Sequence, residues 1–118
     1  MTSTAQAAAI TFVDQINYIR EAVDPDITGL AMGMFVLVAA APHSEGVPMS
    51  RVIERMNMSA STCSRNIYLL STGFVRNNDP RKGFGLLRTE TTPGDRRSLT
   101  VYLTPKGVQV AKGLAQIK

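Results

Sequence analysis

Residues 95–107 read DRRSLTVYLTPKG and join a basic turn to a short strand and the start of a helix. Apolar and polar side chains alternate over residues 98–103, which predicts a strand with one buried face. The predicted inner residues are Leu99, Val101 and Leu103, and the predicted outer residues are Ser98, Thr100 and Tyr102. Thr104-Pro105 then favours a helix start, because threonine is a good N-cap and proline is tolerated at the first helical position.

A second strand is predicted just before this one, so that the two form a hairpin. It covers residues 83–92 and includes Arg88, and the turn covers residues 93–97 with the sequence PGDRR. A hairpin with cations at its tip has a suitable shape to reach DNA beside a helix in the major groove. An arginine pair in a turn can equally be solvated, so the interpretation depends on what precedes the hairpin.

Two short helices joined by a three-residue turn are predicted upstream. The first covers Pro48–Met56, and the second runs from a cap at Ser59 to about Thr72, with Gly73 in the usual C-terminal position. The apolar stripe of the first helix is Met49, Val52, Ile53 and Met56. On the second helix the predicted buried residues are Cys63, Ile67, Leu70 and Phe74, and the predicted exposed residues are Ser61, Arg65, Tyr68 and Thr72.

Helices are also predicted on both sides of this unit. Residues 3–23 form the first, with a stripe of Phe12, Ile16 and Ile19 and an end at Asp24-Pro25. Asp26 is the predicted cap of a helix over Ile27–Ala41, which is apolar nearly all round and therefore central. Pro42–Val47 is predicted to be a loop. The last helix covers Pro105–Ile117, with a stripe of Val108, Ala111, Leu114 and Ala115.

Composition predicts one folded, soluble domain of 118 residues, with 44% hydrophobic residues and no run long enough to span a membrane. The N-terminus lacks a basic signal region, and the lone Cys63 fits a reducing compartment, so the predicted location is cytoplasmic. The net charge is −2 over residues 1–73 and +6 over residues 74–118. Such an asymmetry indicates an anionic partner, nucleic acid before a membrane surface.

The residues offer little for catalysis. There is no Ser/His/acid set, no suitably spaced pair of carboxylates and no nucleotide-binding fingerprint, and His43 stands alone, so we predict no enzyme, no cofactor and no metal. Cys63 falls on the buried face of its helix, which favours core packing over a redox switch.

The order of these elements is that of a winged helix-turn-helix, and two segments resemble one family. Residues 49–73, MSRVIERMNMSASTCSRNIYLLSTG, resemble the helix-turn-helix of the MarR family of bacterial transcription regulators. Residues 94–107 resemble its wing, with Asp-x-Arg, a strand and Leu-Thr-x-x-Gly. The resemblance covers about residues 27–114. It implies that Asp95 braces Arg97, that Arg97 enters the minor groove and that Arg65 is the arginine of the recognition helix.

The resemblance also implies a homodimer that binds pseudo-palindromic operators, often as a repressor. Members usually continue past the wing with one or two long helices that build the dimer, whereas this chain stops at Lys118. Either the first helix carries most of the dimerisation, or the dimer is weak or different. Many members release DNA when a small phenolic ligand binds, and the short C-terminal region leaves open whether this chain has such an effector. The stretch Asn77–Phe84 is longer and more basic than a minimal wing entry.

We therefore predict a mostly helical α+β, winged-helix domain over residues 1–118 that binds double-stranded DNA. Residues 1–24 are assigned to dimerisation, 27–104 to the winged helix-turn-helix and 105–118 to a C-terminal helix. The candidate DNA-binding residues are Ser59, Ser61, Thr62, Ser64, Arg65, Tyr68, Arg88, Asp95, Arg96 and Arg97. The serines and threonine are equally ordinary residues of a helix N-terminus, and the tyrosine can instead pack on the wing. The alternative function is a winged helix that binds protein; it would expose apolar residues on its recognition face.

Overall fold

The computed structural model describes residues 3–71 and 83–117, which form five helices and a three-stranded antiparallel sheet. In chain order the elements are α1 (Thr4–Ala22), α2 (Gly29–Ala40), β1 (Val47–Pro48), α3 (Met49–Met56), α4 (Ala60–Leu70), β2 (Leu87–Thr92), β3 (Asp95–Leu103) and α5 (Pro105–Ala115). The mostly helical α+β class predicted from the sequence is confirmed. Thr72, Gly73, Phe74 and the loop 77–82, for which a helix end and a wing entry were predicted, lie outside the described residues.

Helix α2 is the centre of the core, as its apolar sequence predicted. It contacts α3, α4, α5 and β3, and it buries Ala31, Met34, Phe35 and Val38. Burying a side chain as large as Phe35 contributes about 1.5–3 kcal/mol. The predicted cap at Asp26 is wrong, because Thr28 accepts the bond from the Ala31 N–H (3.1 Å) and the helix begins one residue after it.

Helix α1 begins at Thr4 because Ser3 and Gln6 form a reciprocal capping box. Of the predicted stripe, Ile19 is buried and Ile16 is half-buried, but Phe12 is 62% exposed. The prediction fails at Phe12 because α1 packs on α5 through the C-terminal part of α1, beyond Phe12. There the Tyr18 hydroxyl donates to the Val110 carbonyl (2.9 Å). Over the described ranges, no helix combines the length and apolarity needed to cross a membrane.

Strand β1 was not predicted, since Val47 was assigned to the end of a loop and Pro48 to the start of a helix. It pairs antiparallel with β3, with Val47 opposite Val101 and Pro48 opposite Thr100. Two residues carry no period that a sequence pattern could reveal, and Pro48 is tolerated because β1 lies at the edge of the sheet. The pairing places the start of α3, at Met49, directly beside the hairpin.

The hairpin has a shorter turn than predicted. β2 begins at Leu87, and Pro93-Gly94 alone connects it to β3, with Gly94 at φ +82°, a conformation that glycine readily adopts. The basic residues assigned to the turn therefore belong to β3. Leu99 is 38% exposed and Thr100 is 4% exposed, so the alternation prediction is wrong at both. Leu99 lies beyond the reach of the core, and the Thr100 hydroxyl bonds with that of Thr92 (2.9 Å).

Helix α5 starts where predicted and ends two residues earlier, at Ala115. The Thr104 hydroxyl accepts from the Gly107 N–H (3.0 Å) and donates to the Gly85 carbonyl (2.6 Å), so it caps α5 and holds the entry to β2. The predicted apolar stripe needs correction. Val108, Ala111 and Leu114 of that stripe are half-buried against the core as predicted, but Ala115 is exposed, and Val110, which the stripe left out, is buried.

Candidate nucleic-acid interface

The turn between α3 and α4 is tight and fully bonded. Asn57 has φ +52°, in the left-handed region that asparagine tolerates better than most residues, and its N–H donates to the Glu54 carbonyl (3.2 Å). The Met58 N–H donates to the Ile53 carbonyl (3.1 Å). The turn leads straight into the cap of α4, so the two helices form the helix-turn-helix expected from the sequence.

Three of the predicted DNA-binding hydroxyls, those of Ser59, Ser61 and Thr62, form hydrogen bonds with one another at the start of α4. The Ser59 hydroxyl accepts from the Thr62 N–H (3.1 Å) and donates to the Thr62 hydroxyl (2.9 Å), which confirms Ser59 as the cap. The Ser61 hydroxyl lies 3.2 Å from the same Ser59 oxygen, at the exposed surface. Ser59 and Thr62 thus shape the helix terminus, whereas Ser61 is presented outward.

The two faces of α4 divide as the helical period predicted. Cys63, Ile67 and Leu70 are buried, and burial raises the pKa of the Cys63 thiol, which keeps it protonated and unreactive. The exposed residues of the opposite side are Ser61, Ser64, Arg65 and Tyr68. This side carries hydroxyls, one guanidinium and one phenol, all groups that can bond base edges or phosphates.

The start of β3 is braced by Asp95. Its carboxylate accepts from the Ser98 hydroxyl (2.7 Å) and from the Arg97 N–H (3.0 Å), and these bonds, in that order, lower the pKa of Asp95. The brace therefore acts on the Arg97 backbone. Arg96 and Arg97 are both exposed, and they lie in an irregularity of the hairpin, since Thr92 pairs with Asp95 whereas Thr91 pairs with Leu99.

Arg88 lies at the base of the hairpin, opposite Tyr102. Its guanidinium carbon is 4.5 Å from the centre of the Tyr102 ring, and its Nη1 is 2.6 Å from Glu90 Oε1. Arg88, which was predicted to bind DNA, thus has two partners inside the hairpin.

A cleft of about 380 Å³ separates α4 from the hairpin. Ser64 and Tyr68 of α4 line one side, and Leu87, Thr89 and Leu99 line the other. The outer side of α4 and the hairpin consequently border one continuous surface, with α4 at one edge and the arginines of β3 at the tip.

Two cations of α3 were not among the residues predicted to bind DNA. Arg51 and Arg55 are exposed and flank a shallow depression together with Glu54. The first helix of a helix-turn-helix crosses the DNA backbone, so cations there are candidates for phosphate contact. Their four-residue spacing, on the side opposite the apolar stripe, was the signal that could have identified them.

At the level of sequence, no protein-family model and no curated protein matches this chain. Its fold, in contrast, matches 39 chains of known structure. MepR of S. aureus, in a complex with DNA, superposes with a TM-score of 0.69 at 13% identity, over 94% of this chain and 78% of MepR. The PcaV transcriptional regulator of Streptomyces coelicolor, with its natural ligand, gives 0.59 at 22% identity, over 98% and 72%.

Wild-type MarR of E. coli gives a TM-score of 0.60 at 14% identity, over 99% of this chain and 77% of MarR. All three are regulators of the MarR family rather than enzymes. The likeness agrees with the element order, the position of α4 and the hairpin that follows it. This chain therefore has the MarR-like winged-helix fold that the resemblance of its helix-turn-helix and wing implied.

Proposed function

We propose that this protein is a sequence-specific transcription regulator that binds double-stranded DNA and acts as a repressor. One observation carries the proposal: the polar side of α4 continues, across the cleft, into a hairpin whose tip bears Arg96 and Arg97. A DNA-bound protein, MepR, supplies a precedent for this fold on a duplex. Repression follows if the bound protein covers a promoter and excludes polymerase.

In the proposed complex, α4 enters the major groove. The hairpin of β2 and β3, or wing, follows the duplex so that its tip reaches the adjacent minor groove. Arg65 reads a guanine through two parallel hydrogen bonds, and Ser61, Ser64 and Tyr68 contact base edges or phosphates. Ser59 and Thr62 orient the first turn of α4. Arg97 enters the minor groove, where arginine is favoured when the groove is narrow.

We further propose a homodimer formed through α1, within the division into residues 1–24, 27–104 and 105–118. Three large apolar side chains of α1 lie in solvent: Ile10 (57% exposed), Phe12 (62%) and Val13 (53%). A second copy of the chain would cover them. Two copies would place two α4 helices about one helical turn of DNA apart, which suits a pseudo-palindromic operator.

The function is tested by gel shift with random and host-genomic duplex pools at two salt concentrations. We expect a small subset of genomic fragments to bind tightly, to survive competitor DNA and to bind less at high salt, because phosphate neutralisation releases counterions. Weak binding that ignores sequence would contradict the proposal. It would favour the alternative of a protein-binding winged helix, for which the exposed Leu99 and Tyr68 beside the cleft are the supporting observation.

Arg65→Ala should weaken binding to the selected fragment by roughly 1–3 kcal/mol, because a bidentate contact to guanine is lost. Binding to random DNA should change much less. The matched control is Arg55→Ala, which removes the same charge from α3 and should affect both kinds of DNA equally. An equal loss on both DNAs for Arg65→Ala would reassign this residue to a phosphate.

Phe12→Glu should shift the protein from dimer to monomer in analytical ultracentrifugation. Burial of a phenylalanine contributes about 1.5–3 kcal/mol, so the dimer dissociation constant should rise by about tenfold to a hundredfold. Asn17→Glu, at an exposed polar position of the same helix, adds the same charge and should leave the dimer intact. An unchanged sedimentation profile for Phe12→Glu would exclude this side of α1 as the interface.

A further inference from the structure

We infer that Arg88 positions the wing and does not contact DNA: held by Glu90, its guanidinium covers the Tyr102 ring and thereby fixes the angle between the wing and the helix-turn-helix. The inference rests on the proposed function, because the angle matters when α4 and the wing bind one duplex. It differs from the sequence prediction, in which Arg88 was one cation among several that reach DNA.

The guanidinium of Arg88 has two partners within the hairpin. Arg88 and Tyr102 are directly opposite each other on β2 and β3, and the guanidinium carbon lies 4.5 Å from the ring centre, within the range of a cation–π contact. Glu90 is two residues along β2 and therefore on the same face of the sheet, with its Oε1 2.6 Å from Arg88 Nη1. A move to a phosphate would break both contacts, and Glu90 already balances the charge.

The Tyr102 ring also contacts the backbone at Gly46. A Cβ atom placed on Gly46 would lie 2.7 Å from Tyr102 Cε1 and 2.7 Å from the Val101 carbonyl oxygen, so the ring rests on the backbone at this glycine. Gly46 has φ +66°, and only glycine combines that conformation with so close an approach.

Gly46 lies just before the helix-turn-helix in the chain. It immediately precedes β1, which pairs with β3 and leads without a loop into α3. The Tyr102 ring is consequently held between the guanidinium of the wing and the segment that begins the helix-turn-helix. A contact at this point restrains rotation of the hairpin about its base.

The described arginines of the hairpin lie at its two ends. Arg88 follows Leu87, which is buried opposite Leu103, and thus lies at the end of the hairpin that joins the core. Arg96 and Arg97 lie at the far end, next to the Pro93-Gly94 turn. Within the described residues, the cations of the wing divide into a pair at the tip and one at the base, Arg88, whose side chain is 47% exposed but has two partners in the hairpin.

The test measures operator affinity over a series of salt concentrations for Arg88→Ala, Tyr102→Leu and the double variant. Each phosphate contact contributes about −0.9 to the slope of log K against log salt. We expect each single variant to lose about twofold to fivefold in affinity with the slope unchanged, and the double variant to lose no more than the weaker-binding single variant. Tyr102→Phe, which keeps the ring, should bind as the wild type does.

Two DNA-binding results would overturn the inference. One is a slope reduced in magnitude by about 0.9 in Arg88→Ala and restored in Arg88→Lys, which would identify a phosphate contact. The other is unchanged affinity in Arg88→Ala. Thermal unfolding of each variant verifies that the domain is folded.

Amide hydrogen exchange without DNA separates this inference from the proposed function. Arg88→Ala should speed exchange of the amides of β2 and β3 relative to those of α2, whether or not the protein binds DNA. Unchanged exchange in the hairpin would reject the positioning role. If the wild-type protein does not bind DNA but amide exchange is faster in Arg88→Ala, the proposed function is rejected and the positioning role of Arg88 is retained.

Discussion

Gly107→Ala should destabilise the domain by about 3 kcal/mol, because overpacking of a rigid core site costs roughly 1–3 kcal/mol and sometimes more. A Cβ at this position would overlap the carbonyl oxygen of Leu86 and approach Leu103 Cδ2 to 3.3 Å. The Leu86 carbonyl cannot retreat easily, since it accepts from the Thr104 N–H (3.0 Å) at the cap of α5. The loss would be measured by urea unfolding monitored by circular dichroism.

Gly29→Ala is the matched control for this substitution. Among the described residues, no atom outside the two chain neighbours and the backbone of the same helix lies within 4 Å of a Cβ placed on Gly29, at the start of α2. Alanine there should be neutral or should stabilise by about 0.4–1 kcal/mol, because it reduces the entropy of the unfolded chain. Equal unfolding midpoints for the two variants would show that the Leu86 and Thr104 backbone yields, contrary to the packing described above.

Arg97→Ala should weaken DNA binding by about 1.5–3 kcal/mol, the usual contribution of hydrogen bonds to a charged group. It should also reduce the magnitude of the salt slope by about 0.9 if the guanidinium neutralises one phosphate of the groove edge. Stability should not change, because the side chain is exposed and the brace from Asp95 acts on the backbone N–H, which alanine retains. Affinity is measured by fluorescence anisotropy and stability by urea unfolding.

Lys112→Ala removes the same charge from an exposed position of α5, away from the hairpin, and serves as the control for Arg97→Ala. The affinity of this variant for DNA should change only slightly, because one positive charge is lost from the long-range electrostatic attraction. If Arg97→Ala binds as tightly as the wild type, the wing tip has no part in the mechanism. If Lys112→Ala loses as much DNA affinity as Arg97→Ala, the basic residues attract DNA only through their overall charge.

Features that depend on neighbouring residues could be predicted from the sequence. The Ser59 cap and the buried side of α4 follow from local hydrogen bonding and from the helical period, and both are confirmed. The same holds for the Thr104 cap with Pro105 after it. Where two candidate caps lie close together, as Asp26 and Thr28 do, local rules could not choose between them.

Features that depend on distant residues could not be predicted in this way. Alternation gives the side of β3 on which Leu99 lies, but whether that side is covered depends on how far the core extends. Val110 lies in a core to which α1 contributes, and Tyr18, 92 residues earlier in the chain, donates its hydroxyl to the Val110 carbonyl. The candidate site shows the same division: the charge of Arg88 was visible in the sequence, and its engagement with Tyr102 was not.

The single thiol of the chain makes the recognition helix observable without an engineered label. Cys63 is fully buried in α4 and protonated, so an alkylating reagent reaches it only when this helix detaches from the core. The rate of alkylation therefore measures how often α4, the helix proposed to read the operator, opens. Any duplex that holds α4 in place slows the modification, so one sulfur atom reports both the local stability of the helix and its occupancy.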